Sequence, residues 1–434
     1  MDTYQVLSIL SALGIIIAFL NQYVMRMQTT IAITSGALAI SIIMLVLGKT
    51  LWPQLEVIAV NLISRIHFGD FVLEGVLGFL LFAGGLGINL NALKSQKWEI
   101  AVLVFLGVTV STLLIACGLS LLGQMLGSHI PFVYCLLFGA LISPTDPIAV
   151  LAIVKKMGAP GQIAIQIEGE SLFNDGIGLV IFLSIFAVAF GGQEASIGEV
   201  AYLFAHEAVG GILFGALLGL LAHFMISATD DGPMELLITL CLPTAGFAIA
   251  QLLEVSGALA MVVSGIIISN WTRYSGFSEG SKTYLDEFWT LLDEFFNALL
   301  FLLIGLAMVV IKFEAMLIFY SLLVIPLVLA ARFLSVALPY VVFRRLRKYP
   351  PYSVRLLTWG GLRGGLSLAM ALSIPAGYTL GSQGQYDLRF AFVAMTYVIV
   401  LFSILVQGST IGPMIQRARK SESSANGVAA SSGG

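Results

Sequence analysis

Charge is what this sequence has least of. Asp, Glu, Lys and Arg make up only 10% of its 434 residues, against 59% hydrophobic, and mean hydropathy is +0.99. A soluble domain of this length needs a far more polar surface, so the composition excludes one and predicts an all-α polytopic membrane protein. The net charge is -3 and there is no basic stripe, so no nucleic-acid partner is expected. Cysteine is scarce: Cys117, Cys135 and Cys241 sit in apolar runs at spacings that neither pair them nor cluster them for a metal, and read as small packing residues. His67, His129, His206 and His223 fall at predicted span ends or loops and are given no role. The N-terminus lacks a signal-peptide cleavage pattern, so its first apolar run reads as a retained span. No cofactor is expected. The final stretch SESSANGVAASSGG, 421–434, is small and polar and predicts a disordered tail after one transmembrane domain over 1–420.

What remains is long apolar runs. Hydropathy predicts about thirteen spans: 5–22, 29–48, 71–90, 98–122, 131–155, 163–190, 199–226, 234–251, 255–271, 286–310, 314–343, 353–374 and 388–411. The amphipathic stretch 52–68 predicts a segment lying at the interface. With the N-terminus outside and the C-terminus cytoplasmic, inside loops hold 15 basic residues and outside loops 4, as the positive-inside rule requires. Two basic residues are left over, Arg332 and Arg363. Both fall inside apolar spans, so each needs a buried partner or a wet cavity.

The chemistry concentrates at 140–178. Asp146 stands between Pro144 and Pro147 in SPTDPIAV, and a proline pair removes backbone donors and breaks a helix. Broken helix at membrane depth is tolerated where it lines a cavity or is packed in protein. Span twelve has its own interruption, WGGLRGGLSLA, around Arg363. Paired interrupted segments in two halves point to an inverted-repeat transporter, though glycines also simply allow close helix packing. Span six then supplies Glu170, Ser171, Asn174 and Asp175 on one face, an arc of about 140°. Asp175 lies near the midplane, roughly 18 Å into its span. Carboxylates at that depth mark ion pathways by default. Asp175, Asp146, Ser171 and Thr145, with carbonyls freed by the break, are the hard oxygens a sodium-like cation wants. Network or capping roles are the alternative for Asp146, and ordinary hydrogen bonds for Ser171 and Thr145. Glu170 needs a partner, and Arg332 is the candidate, as a structural pair near the site. Arg363 reads as compensating charge and dipoles at the second break, and Asn174 as a neutral bond to interrupted helix ends. Asp293 and Glu294 read as solvated charge at the cytoplasmic end of span ten, with an acidic funnel as the alternative.

SPTDPIAV, GESLFNDG, ARFLSV and WGGLRGG together resemble the monovalent cation:proton antiporters, in the sodium/proton exchanger branch with an Asn-Asp pair. The resemblance covers nearly the whole chain. It implies thirteen spans, a six-helix mobile core over about 98–190 and 314–411, a scaffold over about 5–90 and 199–310, and a homodimer in the plasma membrane. It implies that Asp175 carries cation and proton in turn, with Asp146, Thr145 and Ser171 as ligands, Asn174 beside them, and Glu170 paired with Arg332. Asn at 174 is similar to electroneutral one-for-one exchangers. One departure stands out. Where many prokaryotic relatives have an acid, in a pattern like LLFEGAL, this chain reads LLFAGGL and places Ala83 there. The leading expectation is a sodium (or lithium) for proton antiporter. A potassium/proton exchanger is the near alternative. An intramembrane aspartyl protease is a distant one, because the Gly-x-Gly-Asp setting of such enzymes is missing: Leu172, Phe173 and Asn174 precede Asp175. A channel lacks the repeated carbonyl filter it would need.

Overall fold

The computed structural model describes residues 3–417, apart from 25, 65–66, 128, 147, 158–160, 192–196, 312–313, 348, 350–351 and 381–385. Pro147, the tail 421–434, and Arg65, Lys312, Lys348, Arg419 and Lys420 of the charge count lie outside the described residues.

The chain runs through α1 (Thr3–Tyr23), α2 (Thr29–Thr50), α3 (Pro53–Ser64), α4 (Phe68–Gly87), α5 (Leu90–Ser95) and α6 (Lys97–Met125). Next come α7 (Phe132–Ile142), α8 (Ile148–Met157), α9 (Gly161–Phe190), α10 (Ile197–Ser227), α11 (Gly232–Leu252) and α12 over 257–275. The last third holds α13 (Glu279–Ala307), α14 (Ala315–Leu346), α15 (Ser353–Trp359), α16 (Gly365–Ser373) and α17 (Leu388–Arg417). A short antiparallel pair, Thr379–Leu380 with Tyr386–Asp387, precedes α17. Ten described helices are long and apolar enough to cross a membrane, and each coincides with an expected span. The other three expected spans are helical as well. Span nine is α12, whose last turns are polar, and spans five and twelve are the broken pairs α7/α8 and α15/α16.

The breaks fall where local chemistry puts them. α7 stops at Ile142, and Ser143 still has helical dihedrals; the helix ends there because Pro144 has no N–H to continue the ladder and its ring crowds the carbonyl one turn back. α15 stops at Trp359, before Gly360-Gly361, where helix propensity is low. α9, by contrast, runs 30 residues with no proline and is continuous through the level of both breaks. One large apolar cluster joins α7, α9, α14, α16 and α17 with parts of α1, α2 and α13. A second joins α4, α10, α12 and the first half of α13. Ala83 packs half-buried against this second cluster, of which Phe82, Leu172 and Trp289 are members. The three thiols are free, with Cys135 buried and Cys117 and Cys241 on the outer surface.

Candidate functional site

The two breaks cross. The Asp146 amide donates to the Leu362 carbonyl at 2.9 Å, an isolated antiparallel bridge between the extended residues after α7 and those after α15. The approach is close enough to require glycine. A Cβ on Gly364 would lie 2.1 Å from Asp146 Oδ2, and one on Gly361 would lie 2.7 Å from Arg332 Nε. Asp146 Oδ1 accepts the Ile148 amide at 2.9 Å, so this carboxylate caps the start of α8. The N-terminus of α16 begins one residue past Gly364, so a second helix dipole favours the charge on Asp146.

α9 lays its polar face along the crossing. The Thr145 amide donates to Asn174 Oδ1 at 3.0 Å, and Asn174 Nδ2 donates to Thr145 Oγ1 at 2.9 Å. The Ser171 hydroxyl donates to the Thr145 carbonyl. Gly178 admits the Pro144 ring, which would stand 2.3 Å from a Cβ there. Thr145 is thus held on both faces by a neutral amide and a hydroxyl, and the unwound backbone is satisfied without added charge. Asp175 is different. It is the fifteenth of the 30 residues of α9 and half-buried, and its carboxylate makes no hydrogen bond among the described residues. It lies within electrostatic reach of Asp146. The structure therefore gathers Asp175, Asp146, Thr145, Ser171 and Asn174 at one place, with Asp175 the least committed of them.

Charge around the crossing is arranged in layers. Glu170, 1% exposed, and Arg332, 5% exposed, form an ion pair next to Ser171 and one turn from Asn174. Arg332 Nη2 also donates to the Leu357 carbonyl at 3.2 Å, in the last turn of α15 where the helix dipole is negative. Arg363 donates to the Gly361 carbonyl at 2.6 Å from Nη1, and its Nε and Nη2 have no hydrogen-bond partner among the described residues. One turn back along α9, Gln166 accepts from the Tyr340 hydroxyl at 2.6 Å and donates to Gln96 at 3.0 Å, which pins α9 to α14 and to the residue between α5 and α6. Sequence reasoning missed this link, because glutamine and tyrosine carry no charge to flag them.

The buried pair has a measurable consequence. Removing one partner leaves an uncompensated charge, at a cost of about 3–5 kcal/mol. Glu170→Gln and Arg332→Ala should each lower the melting temperature in detergent by several degrees. Melting equal to wild type in both variants would show that the pair does not hold the fold.

Asp293 and Glu294 part company. Hydropathy put the start of their span at 286, but α13 begins at Glu279, because its polar first turns continue the helix. Asp293 is therefore the fifteenth of 29 residues and half-buried, while Glu294 is exposed; Asp293 is no solvated helix-end charge. Further along α13, Leu303 and Ala307 line a cavity of about 250 Å³ with His67, Asp70 and Arg389. Leu300 packs on Gly365 between that cavity and the crossing.

Comparison with known proteins agrees with this geometry. Residues 15–417 match the family described as "Sodium/hydrogen exchanger, transmembrane". The chain is 41% identical to the Na(+)/H(+) antiporter NhaP of Pseudomonas aeruginosa, over 94% of this chain and 95% of that one. It is 34% identical to the Na(+)/H(+) antiporter NhaH of Halobacillus aidingensis, over 88% of this chain and 91% of the other. The sodium proton antiporter MjNhaP1 from Methanocaldococcus jannaschii, solved at pH 8, has the same fold, with a TM-score of 0.73 at 18% identity over 96% of this chain and 99% of that one. Two crossed broken helices beside a continuous helix whose mid-helix carboxylate has no hydrogen bond among the described residues, and a match over nearly the whole length, place this chain in the sodium/hydrogen exchanger family, as a transporter and not a protease.

Proposed function

We propose that this protein exchanges sodium, or lithium, for protons across the plasma membrane, with cation and proton taking turns on Asp175. The observation that carries this reading is the Asp175 carboxylate: mid-helix, half-buried, without a hydrogen bond among the described residues, and next along its helix to Asn174, which holds the crossing. Asp146, Ser171 and the Thr145 hydroxyl and carbonyl complete a set of hard oxygens suited to a small monovalent cation. Asn174 holds the unwound strand in place. The names of the relatives, all antiporters of sodium and protons, support the choice of ions. The N-terminus lies outside and the C-terminus in the cytoplasm, by the distribution of basic residues. The cavity at His67, Asp70 and Arg389 then belongs to the outer half, and Asp293 stands at mid-depth. The core over about 98–190 and 314–411 moves against the scaffold over about 5–90 and 199–310, and the unit is a homodimer in the bilayer.

The test is a dye-based pH assay in proteoliposomes. Pulses of sodium or lithium should dissipate an imposed pH gradient. A response to potassium alone would make the protein a potassium/proton exchanger, and no response to any of the three would remove the reading.

Exchange should also be electroneutral. Glu170 and Arg332 cancel each other, and Asp175, beside the neutral Asn174, alone alternates between a cation and a proton. A valinomycin-imposed voltage should leave the rate unchanged. A clear voltage dependence would mean that a second proton is carried.

A further inference from the structure

One half-buried carboxylate near the crossing has no part in the exchange step described above. Asp293 sits midway along α13 and is half-buried. Asn297, one turn on and 4% exposed, lies on the same face of the helix. Its Oδ1 is a buried oxygen with no partner among the described residues. A buried, unpaired amide oxygen is costly and calls for an explanation.

The face that bears these groups is turned to the crossing. Residues 293, 297 and 300 fall within an arc of about 60° on a helix. Leu300, the third of them, seats on Gly365, where a Cβ would lie 2.3 Å from its side chain. The preceding Gly364 lies against Asp146 Oδ2. Asp146 Oδ1 is occupied by the Ile148 amide, so Oδ2 is the oxygen left to receive a ligand. Asp293 is within electrostatic reach of Asp146.

We infer that Asp293, Asn297 Oδ1 and Asp146 Oδ2 form a second position for a monovalent cation, where the ion is held before it passes to Asp175. Two facing carboxylates repel unless a positive charge lies between them, and an amide oxygen is the neutral hard ligand such an ion accepts. The position is shared between α13 and the broken helices. It is complete only while these elements pack as they do here, so movement of the core against α13 dismantles it. Asp146, common to both positions, hands the cation from one to the other. The inference rests on the exchange reading and adds a binding residue to it.

The experiment compares sodium KM and maximum rate in proteoliposomes for wild type, Asp293→Asn, Asp293→Glu, Asn297→Leu and Asp175→Asn. Loss of a ligand that serves binding alone raises KM and spares the maximum rate. Asp293→Asn should therefore raise the sodium KM by about five- to tenfold, with the maximum rate within about twofold. Asn297→Leu should act in the same direction, more weakly, and Asp293→Glu should recover most of the lost affinity. Detergent melting checks that each variant is folded. If Asp293→Asn does not fold, the pair Asp293→Glu and Asn297→Leu decides: an unchanged KM in Asn297→Leu overturns the inference. An unchanged KM in Asp293→Asn, or a fallen maximum rate at unchanged KM, also overturns it. Exchange that persists in Asp175→Asn overturns the exchange reading itself, which keeps the two failures apart.

Discussion

Asp175→Asn is expected to abolish cation-driven proton movement while the protein still inserts, folds and melts near the wild-type temperature. Asparagine keeps the size and shape of the side chain but can neither release a proton nor carry charge. The site oxygens at Thr145, Ser171 and Asp146 would remain, yet nothing would be left to alternate. The Asp175 carboxylate makes no hydrogen bond among the described residues, so its replacement breaks no structural network. In this it differs from Glu170, whose loss strands a buried guanidinium. The two variants should thus separate cleanly: Asp175→Asn stable and inactive, Glu170→Gln destabilised. Measurable exchange in a folded Asp175→Asn protein would remove the central claim.

The division of labour between these two neighbours was partly legible in the chain. Proline and glycine act locally, so SPTDP and WGGLRGG disclosed both breaks from sequence alone. The helical period put Glu170, Ser171, Asn174 and Asp175 on one face, and α9 has that face against the breaks. What local rules do not contain is which side chains saturate one another. Asn174 clasps Thr145 from both sides, and Ser171 bonds the Thr145 carbonyl, because the crossing brings span five against span six in a particular register. The bridge from Asp146 to Leu362 joins residues more than two hundred positions apart, and only the tertiary fold defines it. Asp293 was misplaced for a different reason. Hydropathy marks where a helix becomes apolar, not where it begins. The amphipathic first turns of α13 therefore shifted a mid-helix acid to an apparent helix end.

Proton and cation should compete for one site, and the effect on affinity should be large. If Asp175 must be deprotonated to hold the cation, protons inhibit by occupying it. Well below the apparent pKa of the site, each pH unit removes tenfold of the binding-competent form, a penalty of about 1.4 kcal/mol. The apparent KM for sodium should then rise by up to about tenfold per unit as pH falls, while the saturating rate stays nearly constant. On the alkaline side the sign reverses. The return step needs a protonated carboxyl, so the rate falls as pH rises past the same group. The profile is a bell whose acid limb moves to lower pH as sodium increases, and one carboxylate produces both limbs without a separate sensor. The measurement is initial exchange rate against sodium concentration at several pH values, set equal on both sides of the vesicle. A KM that stays flat across the acid limb, with only the maximum rate falling, would show that protonation elsewhere gates the transporter and that Asp175 is not the seat of competition.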